Sequence, residues 1–249
     1  MPSTSTLTSP LFSRDFLLAN MMGPNCVRLA EELTATMQLS SGMRVLDLGC
    51  GTGLSSIFLA RAFGVRVFAA DLWISPSDNL ARFRDFGLED AIIPIRAEGH
   101  ALPFAEGSFD AVICIGAYHS FGCDPGYLDE HIAPLVKPGG CIAVAVPGLR
   151  HEFTDGIPAE LRPYLEEDMG FHSAGWWAEL WKGSTRAAVR DAFSLRSHKA
   201  AWEDWLQCDN PYAQRDVGMM EKAGWRYFDS VGIIATVSPA ACSEPYLLL

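Results

Sequence analysis

The chain has 249 residues, with 19 Lys plus Arg against 30 Asp plus Glu and a net charge of −11. At 49% apolar and 20% charged residues it has the make-up of a globular protein with a sizeable core, which excludes a disordered or fibrous chain. The acidic balance is even, −5 over residues 1–150 and −6 over residues 151–249; with no basic block to neutralise phosphates, neither nucleic acid nor an anionic membrane is an expected partner.

The seven cysteines (Cys26, Cys50, Cys114, Cys123, Cys141, Cys208 and Cys242) are scattered and form no CxxC. That spacing argues for reduced thiols rather than a zinc site or a disulfide framework, so no metal is expected. The opening stretch MPSTSTLTSPLFSRDF holds no apolar signal core, and no apolar run approaches the ~20 residues of a membrane span. The expectation is a cytoplasmic protein.

Residues 1–12 are Ser/Thr/Pro-rich and read as loose. Asn25 to Met37 reads as a helix capped by Asn25, with Cys26, Leu29, Ala30, Leu33 and Met37 on one stripe. Met43 to Leu48 is a short apolar run that feeds a glycine turn, and Ser55 to Phe63 follows as a helix closed by Gly64. Val65 to Ala70 is the next strand; Pro76 to Phe86 is a helix with Pro in its first turn and Gly87 at its end. Ala91 to Ile95 is strand-like, with Pro94 pointing to a sheet edge. Phe109 to Ile115 is a strand, Tyr127 to Val136 a helix ended by Lys137-Pro-Gly-Gly140, and Cys141 to Val146 a further strand. After Pro147 the rhythm breaks: residues 148–183 show no clear strand, Ala192 to Ala200 is read as a strand, Gln214 to Ala223 as a helix, and Tyr227 to Val237 as the last strand. Near-continuous apolar strands separated by helices make this an α/β chain with a parallel sheet covered on both faces.

Val45-Leu-Asp-Leu-Gly-Cys-Gly-Thr-Gly-Leu54 carries the strongest signal. A buried strand delivers Gly49, Gly51 and Gly53 into a turn that opens a helix, where backbone can approach a ligand and the helix N–H groups favour an anionic group. The spacing is GxGxG, and no Lys follows as in a phosphate loop, so a nucleoside triphosphate is not expected. Asp71 ends the second strand, where a carboxylate can accept both hydroxyls of a ribose. Leu72 and Trp73 then offer apolar surface to an adenine ring. Read blandly, the same Asp71 is a loop or helix-cap residue.

Together these residues resemble the class I S-adenosylmethionine-dependent methyltransferases over about residues 43–147. DLGCGTG (Asp47, Gly49, Cys50, Gly51 and Gly53 among its residues) is similar to the family's cofactor loop, and Asp71 matches its ribose-binding acid. Ala97-Glu-Gly-His-Ala-Leu-Pro-Phe104 resembles the segment after the third strand. The resemblance implies that Glu98 accepts from the adenine amine and that Gly99 meets the ring, although the family more often has Asp at the first of these places. It also implies a Rossmann-like, doubly wound, mostly parallel seven-stranded sheet with an antiparallel last strand and a helical insertion after strand five. The cofactor would be S-adenosyl-L-methionine and the product S-adenosyl-L-homocysteine. One domain, 1–249, would then comprise a cap (1–42), the cofactor core (43–147), an insertion or lid (148–191) and the completion of the sheet (192–249).

In the resembled family the stretch after strand four lines the transfer site. Ile115 ends that strand and Gly116-Ala-Tyr-His-Ser-Phe-Gly122 follows. His119 is the candidate base, since neutral imidazole is available near pH 7, and Tyr118 is a candidate for orienting the acceptor. Both residues would otherwise only pack local structure. Met22, in Asn20-Met-Met-Gly-Pro-Asn25, is a candidate lid residue over the methionine end of the cofactor. Six of the seven tryptophans fall in residues 176–225. Trp176, Trp177 and Trp181 would either enclose an acceptor as a lid, cover the sheet, or bury a homodimer interface. The implied activity is methyl transfer to N, S or O of a small molecule; the alternative is a cofactor-binding regulatory or scaffold protein that transfers nothing.

Overall fold

The computed structural model describes residues 11–165 and 169–239; the first ten residues of the Ser/Thr/Pro-rich start and Cys242 lie outside them. In chain order the elements are α1 (Arg14–Asn20), α2 (Cys26–Thr34), β1 (Arg44–Leu48), α3 (Leu54–Phe63), β2 (Arg66–Asp71), α4 (Pro76–Asp85), β3 (Ile92–Arg96), β4 (Phe109–Ile115), β5 (Val136–Leu149), α5 (Ala174–Lys182), β6 (Ala187–Ser194), α6 (His198–Trp205), α7 (Pro211–Met219) and β7 (Phe228–Val237).

The seven strands form one sheet in the order β3-β2-β1-β4-β5-β7-β6. β1 to β5 run parallel, while β7 is antiparallel to both β5 and β6. The order reverses between β1 and β4, so the crevice beyond their carboxyl ends is where a ligand enters such a sheet. β3 is an edge strand, which is why Pro94 is tolerated: it has no ladder N–H to give on the open side.

Strand alternation splits the core in two. Val45, Ile113, Ala143, Ala145 and Ile234 face one layer with Leu29, Leu33, Leu54, Trp202 and Trp205. Leu46, Val112, Val144, Ile233 and Val237 face the other with Leu128, Ile132, Trp177 and Trp181. α2 is pinned to α6 through Asp204, whose Oδ2 accepts from Asn25 Nδ2 at 2.8 Å and Arg28 Nε at 2.5 Å.

Several expected elements differ. The 192–200 strand is two elements: β6 ends at Ser194, and α6 begins at His198. The turn between them is fixed by Glu32 of α2, whose carboxylate accepts from the N–H groups of Arg196 (2.9 Å) and Ser197 (2.8 Å). The 127–136 helix is a π turn over Leu128–Ile132 followed by a 3-10 turn over Ala133–Leu135, because Pro134 has no N–H to continue an α ladder. Lys137-Pro-Gly-Gly140 does not precede the fifth strand but lies within β5 as an irregularity between the Phe109–Val136 and Ala111–Cys141 pairings. α1 was not anticipated; Ser13 caps it, and Phe12 and Phe16 stack edge-on to Phe86.

Candidate active site

The glycine turn is held from both sides. Gly49 N and Cys50 N both donate to Ala70 O at the end of β2 (2.8 and 3.1 Å). Asn79 of α4 donates to Gly51 O at 2.9 Å, and Thr52 Oγ1 donates to Asn20 O at 2.5 Å. Gly49 and Gly51 have φ of +68° and +53°, a region L side chains avoid. A Cβ on Gly49 would lie 2.4 Å from Ala117 Cβ, and one on Gly51 3.0 Å from Met22 Sδ. The loop is therefore glycine because two neighbours close on it.

Asp71 does two jobs on one carboxylate. Oδ2 accepts from Gly51 N at 2.8 Å, and Oδ1 accepts from Trp73 N and Ile74 N, both at 2.8 Å. It clamps the glycine turn and shapes the loop after β2, so the bland capping role is real and sits on the same side chain as the ribose-facing expectation. Asp47 lies beneath the turn, fully buried. Its Oδ2 accepts from Ser55 (2.7 Å) and Ser56 (2.6 Å), and Oδ1 is buried with no partner. Burial pushes its pKa up to about 6, against the two hydroxyl hydrogen bonds that hold it down.

These residues surround a cavity of about 160 Å³. The glycine turn and Asp71 line one side, Ile115 to Ala117 the floor, and Asn20, Met22 to Pro24, Cys26 and Leu29 the roof; Pro147 of β5 and Ser230 of β7 also line it, with β7 three strands along the sheet from β1. Met22 and Trp73 stand at its rim, 51% and 79% exposed. Cys26 and Cys50 also line it, but burial pushes both thiols up, Cys26 to about 12, so they are inert walls rather than nucleophiles.

Of the residues expected here, Gly49, Cys50, Gly51, Asp71, Trp73, Ile115 and Met22 line the cavity, while Asp47 is buried beneath the turn and Gly53 opens α3 against Phe83, both outside the lining. The structure does not bring the others there. Leu72 is half-exposed outside the cavity. Glu98 turns to His100, accepting from its backbone N at 3.0 Å and lying 2.8 Å from Nδ1, which holds the Glu98 carboxyl below its usual range. Gly99 is taken by Tyr127, whose hydroxyl donates to its carbonyl at 2.9 Å.

Tyr118 and His119, expected at the transfer site, lie outside the cavity lining. Ile113 and Ile115 face the cavity layer and Cys114 the opposite layer; beyond Gly116 the chain turns Tyr118 onto the Cys114 side. Tyr118 is 1% exposed there, packed against Trp177 and Trp181 at ring distances of 5.8 and 5.5 Å. His119 packs edge-on to Phe171 at 5.4 Å, its Nδ1 buried without a partner, and burial lowers its pKa to about 4. Neither lines the cavity. His119→Ala is expected to leave homocysteine-cofactor affinity within about 2-fold, the scale of ~0.5 kcal/mol, in a calorimetric titration.

Trp177 and Trp181 are likewise core residues, 0% and 1% exposed, and do not line the cavity. Trp176 is half-buried and stacks on His172 at 3.6 Å, away from the cavity. Ser230 is among the wall residues that sequence reasoning missed: one serine in an apolar strand carries no signal until β7 is paired with β5.

A doubly wound sheet with a GxGxG turn and an acid at the end of β2 defines a nucleotide-cofactor-binding protein of the open α/β class. A family model described as methyltransferase domain matches residues 45–140. The ubiquinone biosynthesis O-methyltransferase of Xanthomonas oryzae pv. oryzae is 33% identical over 199 residues, covering 67% of this chain and 78% of that one. Methyltransferase GfsG of Streptomyces halstedii is 33% identical over 119 residues, 47% of this chain; the match spans only 42% of that relative's length. Among solved structures, geranyl diphosphate C-methyltransferase from Streptomyces coelicolor superposes with a TM-score of 0.67 at 19% identity, over 84% of this chain and 76% of that one, which shows the shared fold. The chain belongs to the class I S-adenosylmethionine-dependent methyltransferase family. Among the described residues, no helix is long and apolar enough to cross a membrane.

Proposed function

We propose that the protein transfers a methyl group from S-adenosyl-L-methionine to an N, S or O atom of a small molecule. The observation that carries this is one cavity, lined both by the glycine turn and Asp71 and by Pro147 and Ser230, at the switch point of the sheet. It offers a cofactor wall and a separate set of walls from β5 and β7 on one surface. The roof over residues 20–29 would exclude water and admit only a small acceptor. The chain's acidic character supports a free small molecule as substrate, rather than nucleic acid, and its six described free thiols support action in the cytoplasm.

The residues fit the cofactor. The turn at 49–53 would take its backbone closely, Asp71 its ribose, and Trp73 its apolar ring. Asp47, fully buried and outside the cavity lining, would hold the turn from beneath through Ser55 and Ser56. The cofactor supplies an activated methyl on a sulfonium, and the chain supplies position and desolvation.

A pH dependence follows from Asp47. A carboxyl raised to about 6 is favoured in its protonated form by the folded chain. Its contribution to stability is therefore full below the ordinary carboxyl range and is lost as pH rises through about 6. The folded chain should thus lose stability between about pH 4 and 7 in thermal unfolding, and Asp47→Asn should flatten that loss.

The function itself is tested by incubating the protein with methyl-labelled cofactor and a cell extract, then identifying the labelled product by mass. Tight cofactor binding with no labelled small molecule from any extract would favour the regulatory alternative.

A further inference from the structure

Ser230 lines the cavity, and its strand lies three strands along the sheet from β1, which delivers the glycine turn. It sits on β7 opposite Pro147 of β5. Alternation along β7 turns its side chain to the face of Phe228 and Ile234, the face that α2 and α6 cover. There Ser230 Oγ lies 3.0 Å from His198 Nδ1. His198 is the first residue of α6 and is buried, its ring edged by Trp202 and Trp225 at 6.3 and 6.0 Å. Its Nε2 is buried without a partner among the described residues. A half-satisfied imidazole inside an apolar layer is costly, and two apolar side chains would fill the same space at no such cost. The pair reaches the cavity through the Ser230 side chain.

From this arrangement we infer that Ser230 and His198 form the proton-accepting wall of the acceptor subsite, and that the acceptor is a neutral hydroxyl compound, an alcohol or phenol. The inference rests on the methyltransferase reading and names the substrate class of that same cavity. With Nδ1 accepting, the Ser230 hydroxyl donates inward and turns an oxygen lone pair to the cavity. An acceptor O–H donates to that lone pair.

The acceptor oxygen attacks the methyl carbon of the sulfonium donor. The O–CH₃ bond forms as the S–CH₃ bond breaks, and the bonding pair returns to sulfur. The acceptor's proton passes to Ser230 Oγ, and the Ser230 proton passes to His198 Nδ1. The products are a methyl ether, a neutral thioether and an imidazolium, so the positive charge moves from sulfur to the ring. Burial lowers His198 to a pKa of about 4, with Asp229 of β7 opposing and Arg150 beyond β5 reinforcing. The ring is therefore neutral and ready at pH 7. An oxygen acquiring a methyl group is oxonium-like, and its proton is acidic enough for a base weakened by burial to take it.

The test uses the full chain with ¹⁵N-labelled histidine rings, saturated with S-adenosyl-L-homocysteine and titrated with phenol as the hydroxyl probe. The expected result is a bare Nδ1 and a protonated Nε2 on His198, with an Nδ1 shift when phenol is added. Ser230→Ala should abolish that response and Ser230→Thr restore it, both holding homocysteine-cofactor affinity within about 2-fold. Ser230→Ala should also lower turnover of labelled hydroxyl products from the extract by about 100-fold. A protonated Nδ1, no phenol response in the parent protein, a response surviving Ser230→Ala, or a product methylated on nitrogen or sulfur would overturn the inference. Failure of S-adenosyl-L-homocysteine to bind would overturn the methyltransferase reading instead, and the tautomer is read on the same sample either way.

Discussion

Asp71→Asn is expected to weaken S-adenosyl-L-homocysteine binding by about 100-fold while leaving the sheet folded. Asn has the shape of Asp, so packing is preserved, but one oxygen becomes an NH₂. In one orientation that NH₂ meets Gly51 N–H, and in the other it meets the N–H groups of Trp73 and Ile74, each now 2.8 Å from a carboxylate oxygen. Either way the glycine turn or the loop after β2 loses its clamp, and a cofactor ribose loses an ionised acceptor. Hydrogen bonds to a charged group are worth about 1.5–3 kcal/mol each. Losing about two at the lower end gives ~3 kcal/mol, the stated 100-fold at 1.4 kcal/mol per decade. Calorimetric titration measures the affinity, and thermal unfolding shows that the loss is not global. An affinity within about 3-fold of the parent would mean that the turn needs no clamp and that the ribose sits elsewhere.

What could be read from the sequence divides along the range of the interactions involved. β1, the glycine turn, α3 and β2 are set by neighbours a few residues away: apolar runs, positive-φ glycines, and Gly64 closing α3 with φ of +65°. They were legible to within a residue or two. The end of β6 was not, because the residue that fixes it is Glu32, 164 positions earlier. α1 is only 7 residues long, too short for a periodic stripe, and its anchor Phe86 lies beyond α4.

The candidate site divides the same way. The cofactor wall is built from one contiguous motif plus Asp71, so its residues could be named. The far wall is built where β7 returns beside β5, and a lone Ser230 or His198 signals nothing until that pairing is known. His119 misled for a local reason. Its position after β4 is right for a site residue, but the positive-φ Gly116 and the 3-10 turn at Tyr118–Ser120 carry the side chains off the cavity.

The tryptophan cluster makes the second large prediction. Trp177→Ala or Trp181→Ala should each destabilise the fold by about 3–5 kcal/mol, lowering the unfolding temperature by about 10 °C. Both rings are fully buried beneath the sheet layer formed by Val144, Ile233 and Val237. They lie on the face opposite the cavity, and both support Tyr118. Truncation leaves a void that rigid strands on one side and Leu128 and Ile132 on the other cannot close. Homocysteine-cofactor affinity, measured on the folded fraction, should stay within about 2-fold, because neither ring lines the cavity. Trp176→Ala serves as the contrast: a half-buried ring stacked on His172 should cost only about 1 kcal/mol. A lid would show the opposite pattern, with stability nearly unchanged and ligand affinity reduced. A dimer interface would show a stability loss that depends on protein concentration. A large, concentration-independent loss with intact binding assigns these tryptophans to the core, and leaves enclosure of the acceptor to the 20–29 roof and the Ser230 wall.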